Sequence, residues 1–84
     1  MLGSNIVNGF TGAYGPEVIS DTSEHTPGDG KVYFELHMLE ATAIDKIEPS
    51  IGNLTGVTFP GGFRLRGLFT SVTLTSGSCV AYKG

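Results

Sequence analysis

The stretch Gly67-Leu68-Phe69-Thr70-Ser71-Val72-Thr73-Leu74-Thr75-Ser76-Gly77-Ser78-Cys79-Val80-Ala81-Tyr82 decides the reading of this chain. Its aromatic and β-branched residues fit a pleated, half-buried surface better than a helix. Ser76-Gly77 is a tight-turn dipeptide between two such runs. The stretch therefore predicts a strand over Ser71 to Thr75, a turn, and a last strand over Ser78 to Tyr82. Immediately upstream, Phe63, Leu65, Gly67 and Phe69 alternate with Arg64, Arg66 and Leu68, the period-two pattern of a strand with one face buried. Pro60-Gly61-Gly62 reads as a turn before it, and Leu54-Thr55-Gly56-Val57-Thr58-Phe59 as a further short strand following the Gly52-Asn53 turn. Short strands at this spacing predict an all-β fold, a small antiparallel sandwich or barrel.

Working outward, residues 31–47 admit two readings. Val32, Phe34, Leu36 and Met38 alternate with Lys31, Tyr33, Glu35 and His37, as in a strand. A helix can also be drawn, with Val32, Leu36, Leu39, Ala43 and Ile47 near one face, Asp29 as its cap and Pro49 beyond its end. The Val-Tyr-Phe run favours the strand, with a bend or second strand beginning near Ala41, and the helix stays as the alternative. The expected core is Val32, Phe34, Leu36, Leu65, Phe69, Val72, Leu74 and Val80.

Residues 1–30 differ in character from residues 31–84. They are rich in glycine, carry the polar run Ser20-Asp21-Thr22-Ser23-Glu24-His25-Thr26, and end in the turn signal Pro27-Gly28-Asp29-Gly30. We read residues 1–30 as an extended N-terminal arm with room for one or two short strands, and residues 31–84 as one small β domain. Ile6, Val7, Phe10 and Tyr14 give the arm apolar anchors for a partner surface, too few for it to fold by itself.

A chain of 84 residues makes one domain. At this size folding buries only roughly 60 % of the unfolded surface, so such domains usually recruit a disulfide, a metal or a partner chain. The lone Cys79 makes no internal disulfide, and its apolar surroundings suit a small buried hydrophobe rather than a nucleophile. Oligomerisation is the expected stabiliser. The net charge is −3 and the five cations are scattered, so no basic stripe exists to neutralise phosphates and nucleic acid is not an expected partner. No apolar run approaches the ~20 residues that span a bilayer, and no secretory signal is expected.

Chemistry finds little purchase. A nucleophile needs an activating base nearby, and the two histidines, His25 and His37, lie in a polar run and a strand with no Gly-x-Ser-x-Gly elbow anywhere. Glu24, His25 and Asp29, and Glu35 with His37, are the only local groups of metal-capable side chains, without zinc-motif spacing. Gly61-Gly62 lacks the Lys-Ser/Thr of a phosphate loop. No catalytic residue, cofactor or metal is therefore expected, and the protein is not read as an enzyme. Arg64 and Arg66 share one side of a strand; they read as a solvated face opposing carboxylates or, alternatively, as a contact to an acidic partner.

Taken together, Leu54 to Phe63 and Gly67 to Tyr82 resemble the small virion-associated β proteins of tailed phages. Those chains end in Gly-aromatic-Thr-Ser-(Ile/Val)-Thr-Leu-x-Ser-Gly-x-x-(Ile/Val)-Ala-Tyr after a Pro-x-Gly turn and a short strand. The resemblance covers roughly Val32 to Tyr82. It departs at Gly62-Phe63, where the pattern has Gly-Thr, and at Arg64 and Arg66, where less charged residues are usual. The resemblance implies a virion location and a structural role: a capsid decoration or cement protein acting as a homo-oligomer, trimer favoured, against the major capsid protein or another virion protein. A tail or head-fibre accessory part is the alternative within that class. From a different class comes a small carbohydrate- or ligand-binding module, with Tyr14, Tyr33 and Tyr82 as its stacking surface.

Overall fold

A computed structural model describes residues 16–84, in which the β-branched and aromatic runs form seven strands. These are β1 (Glu17–Ile19), β2 (Glu24–His25), β3 (Tyr33–Met38), β4 (Ala43–Glu48), β5 (Arg64–Phe69), β6 (Ser71–Ser76) and β7 (Cys79–Lys83). They make a four-stranded sheet in the order β1-β7-β3-β5 and a three-stranded sheet in the order β2-β6-β4, with every pair antiparallel. The fold is all-β, and residues 31–47 are strand, bend and strand rather than helix. The two short strands allowed for in residues 1–30 are β1 and β2, each paired into a different sheet.

Odd-numbered strands build one sheet and even-numbered strands the other, so each connection between named strands passes from sheet to sheet. The Ser76-Gly77 turn is thus no hairpin; it carries the chain across the sandwich from β6 to β7. Gly77 takes a φ of +89°, and a Cβ there would stand 2.5 Å from both the Ala41 carbonyl oxygen and Thr42 Oγ1. Only glycine fits such a crossing. Thr42, fully buried, pins it: Oγ1 donates to the Glu40 carbonyl at 2.8 Å, lies 3.1 Å from the Ser78 carbonyl, and accepts from the Ser78 N–H at 3.2 Å.

The core lies between the sheets. Ile19, Tyr33, Leu36, Met38, Phe69, Cys79 and Ala81 come from the four-stranded sheet and Ile44, Ile47, Val72 and Leu74 from the other. Of the expected core, Leu36, Phe69, Val72 and Leu74 are buried, whereas Val32, Leu65 and Val80 are only half-buried and Phe34 is 46 % exposed. For Phe34 the reason is a bulge in β3. Tyr33 faces Lys83 of β7 while Glu35 faces Tyr82, so one extra β3 residue is inserted. Alternation breaks there. Tyr33 therefore points inward, Phe34 and Glu35 both point outward, and Leu36 and Met38 resume the inward phase.

A second correction concerns Leu54 to Phe59, which form no strand. The Val57 N–H bonds to the Leu54 carbonyl at 3.0 Å around a Thr55-Gly56 turn, with Gly56 at φ +77°. Phe59 alone pairs, in an isolated antiparallel bridge with Thr42.

Candidate functional site

Three features have the chemistry to act on something else: a polar cluster inside one end of the sandwich, the outer face of the four-stranded sheet, and a cleft beside β4. The first begins with Glu17, which alternation in β1 turns inward with Ile19. His25 Nδ1 lies 2.9 Å from Glu17 Oε2, and Nε2 lies 2.7 Å from Asp21 Oδ1. The Tyr33 hydroxyl donates to Glu17 Oε1 at 3.0 Å, and Lys83 Nζ reaches the same oxygen at 3.3 Å. Glu17 thus ties β1 to β2, β3 and β7.

Burial works against both ions here, yet the partners win. Burial opposes ionisation of Glu17, but hydrogen bonds from His25, Tyr33 and Lys83 hold its carboxyl below the ordinary 4.5. Burial likewise opposes the His25 cation, and Asp21 and Glu17 outweigh it, raising the imidazole above its ordinary 6.5. The His25 and Ser23 hydrogen bonds bring the exposed Asp21 down to about 2. Burial, then Glu17, pushes the Tyr33 phenol up. With a carboxylate oxygen at each ring nitrogen, the protonated form of His25 donates to both and serves as a structural clamp. Burial likewise pushes the Cys79 thiol up to about 11, which keeps it protonated and inert at neutral pH.

The outer face of the four-stranded sheet gathers side chains from all four strands. Val18 is 60 % exposed, Leu68 68 % and Phe34 46 %, and the Phe34 and Tyr82 rings sit 6.4 Å apart. Beside them Glu35 takes Arg64 Nη1 at 2.8 Å and Arg66 Nε at 3.1 Å. Two exposed guanidinium groups share one covered carboxylate, which leaves a net positive charge at the rim of an apolar patch.

The third feature is a cleft of about 440 Å³ between β4 and residues 52–58. All six residues of β4, Ala43–Glu48, line it. Thr75 of the neighbouring β6 also lines it, so the cleft follows β4 along its length.

Of the partner-contact residues expected from sequence, Arg64 and Arg66 stand on the outer face, and Ile6, Val7, Phe10 and Tyr14 lie outside the described residues. Tyr33 is fully buried, which removes it from the stacking surface of the carbohydrate-module alternative; Tyr14 is outside the described residues and Tyr82 is half-buried. Glu24 and Asp29 do not join His25, because β2 turns Glu24 outward and His25 toward Glu17 and Asp21. Among the described residues no group of three His, Cys, Asp or Glu is placed to hold a metal ion. Sequence reading missed Glu17, Asp21 and Lys83, whose meeting depends on which strands pair; alternation in a three-residue strand carries no signal for it.

Searched against known proteins, the chain matches no family model, no curated protein and no solved structure. The fold and surfaces define a class nonetheless: a small alternating antiparallel β-sandwich with an apolar, cation-rimmed sheet face and an open strand edge.

Proposed function

We propose that this chain is a non-enzymatic structural protein of a tailed-phage virion, a decoration or cement protein that binds the capsid shell and its own copies, trimer favoured. The observation that carries the reading is the outer face of the four-stranded sheet. Isolated apolar residues on a surface are ordinary, but Val18, Phe34, Leu68 and the half-buried Tyr82 share one face of a small domain. Aromatic and aliphatic groups beside arginine are the composition of protein interfaces. Supporting it are the strand-turn-strand resemblance and the size of the chain, which favours association as a source of stability. The same features serve a tail or head-fibre accessory part, which differs only in the virion site occupied.

Mass spectrometry of purified phage particles tests the reading. A stoichiometric component of 8.8 kDa, released from particles only under dissociating conditions, is the expected result. Particles that lack the chain, in cells that produce it, exclude a virion role.

A further inference from the structure

We infer that the cleft along β4 accepts a β-strand donated by residues 1–15 of a second copy, so that neighbouring subunits exchange their N-terminal segments head to tail. This rests on the self-association in the reading above and specifies where it occurs.

The acceptor side is built from backbone. Among the described residues β4 is the edge of its sheet, paired only to β6. At one end of its free edge Thr42 and Phe59 exchange two backbone hydrogen bonds, of 2.9 and 2.8 Å, the first rung of an antiparallel ladder. The chain then turns at Thr55-Gly56 and runs beside β4; among the described residues no further backbone bond joins the two. A ladder is begun, left open and walled at the distance of a cleft. Strand addition to such an edge takes its affinity from main-chain hydrogen bonds. The cleft is lined by Ser50, Asn53, Thr55 and Thr58 of the wall together with Asp45, Lys46 and Glu48 of β4, a mixed polar surface that small polar side chains can hydrogen-bond.

Residues 1–15 have that chemistry. They carry no side chain charged at neutral pH, and Ser4-Asn5-Ile6-Val7-Asn8, bounded by Gly3 and Gly9, places a β-branched pair between small polar residues. Their exit point favours a neighbour's cleft over their own. β1 is tied through Glu17 to His25 of β2, and β2 and β4 are opposite edges of the three-stranded sheet. Pro16, where the described residues begin, therefore stands on the side of the sandwich away from its own β4. Between Val7 and Pro16 an extended chain spans roughly 30 Å, enough to reach an adjacent molecule. An interface that joins one edge to a different edge is heterologous, and it closes into a ring when the rotation allows.

Cross-linking of full-length chains tests this. Val7→Cys is mixed with isotopically labelled Val57→Cys, in the cleft wall, or with labelled Leu68→Cys, on the outer sheet face; both acceptor positions are exposed and the native Cys79 is fully buried. On mild oxidation the Val57→Cys mixture should give roughly tenfold more heterodimer than the Leu68→Cys mixture, since a bound strand raises the effective thiol concentration. Preference for Leu68→Cys, absence of heterodimer, or a Val7→Cys/Val57→Cys double variant that closes within one molecule at high dilution would each overturn it. The two claims separate: heterodimers from a chain absent from particles leave strand exchange standing without the virion role, and a particle-bound chain without heterodimers does the reverse.

Discussion

His25 is where a single side chain does most to hold the N-terminal strands. It bridges β2 to Glu17 of β1 and to Asp21 in the connection between them, as a cation between two anions. A group whose folded pKa is raised contributes stability that is fully present below its unfolded value, near ~6.5, and that is lost as pH rises through the folded value. Glu17 and Asp21 have lowered pKa values, so their contributions are present above their ordinary 4.5 and 3.8 and are lost as pH falls through the folded values, about 2 for Asp21. Melting temperature should therefore be highest between roughly pH 4.5 and 6.5 and fall on either side. His25→Gln should lower the plateau and flatten the alkaline fall, as read by circular dichroism melts from pH 3 to 9. An unchanged alkaline limb in the variant would mean that His25 is not the group that titrates.

At the scale of the element, β5, β6 and β7 were legible because each alternates or concentrates β-branched residues between turn dipeptides. β3 was legible as a strand but not in phase. The bulge after Tyr33 exchanges Phe34 for Tyr33 in the core, and the pattern Val-Tyr-Phe-Glu-Leu fits either choice until the Lys83 and Tyr82 partners are known. Leu54 to Phe59 misled because propensity was read without the Thr55-Gly56 turn that breaks the run. Turn dipeptides likewise announce a reversal without saying which sheet receives it. The Ser76-Gly77 crossing gives that distinction a measurable consequence. A hairpin glycine with open space around it tolerates alanine at modest cost; Gly77→Ala must accept positive φ and also displace the Ala41 carbonyl and Thr42 Oγ1. Strain of that kind costs on the order of 1–3 kcal/mol before any displacement. Urea denaturation should show a loss of about that size for Gly62→Ala, which shares a positive φ but has nothing within 4 Å of its Cβ, and a clearly larger one for Gly77→Ala. Equal losses at both positions would show that the crossing is not tightly packed.

The whole molecule is a sandwich in which strands adjacent in sequence never pair. Each ladder joins segments separated by at least one strand of the other sheet, so both sheets close together around one interior. Such non-local pairing makes loop closure the dominant early cost and places the fold among slow folders. Among the described residues it also leaves β1, β5, β2 and β4 as edges, since no strand there closes the sheets into a barrel. Edges invite pairing with another chain unless they are covered. The outer-face patch, the open ladder at β4 and the small size of the domain are the features on which the proposed association with its own copies rests.

Sedimentation of the full-length chain over a hundredfold concentration range tests that claim most directly. The account predicts a discrete species at a small multiple of 8.8 kDa, with a melting temperature that rises with concentration as mass action requires. Removal of residues 1–15 should shift it toward monomer while the β circular dichroism persists. A full-length chain that sediments at 8.8 kDa at the highest concentration, with a melting temperature independent of concentration, would contradict it.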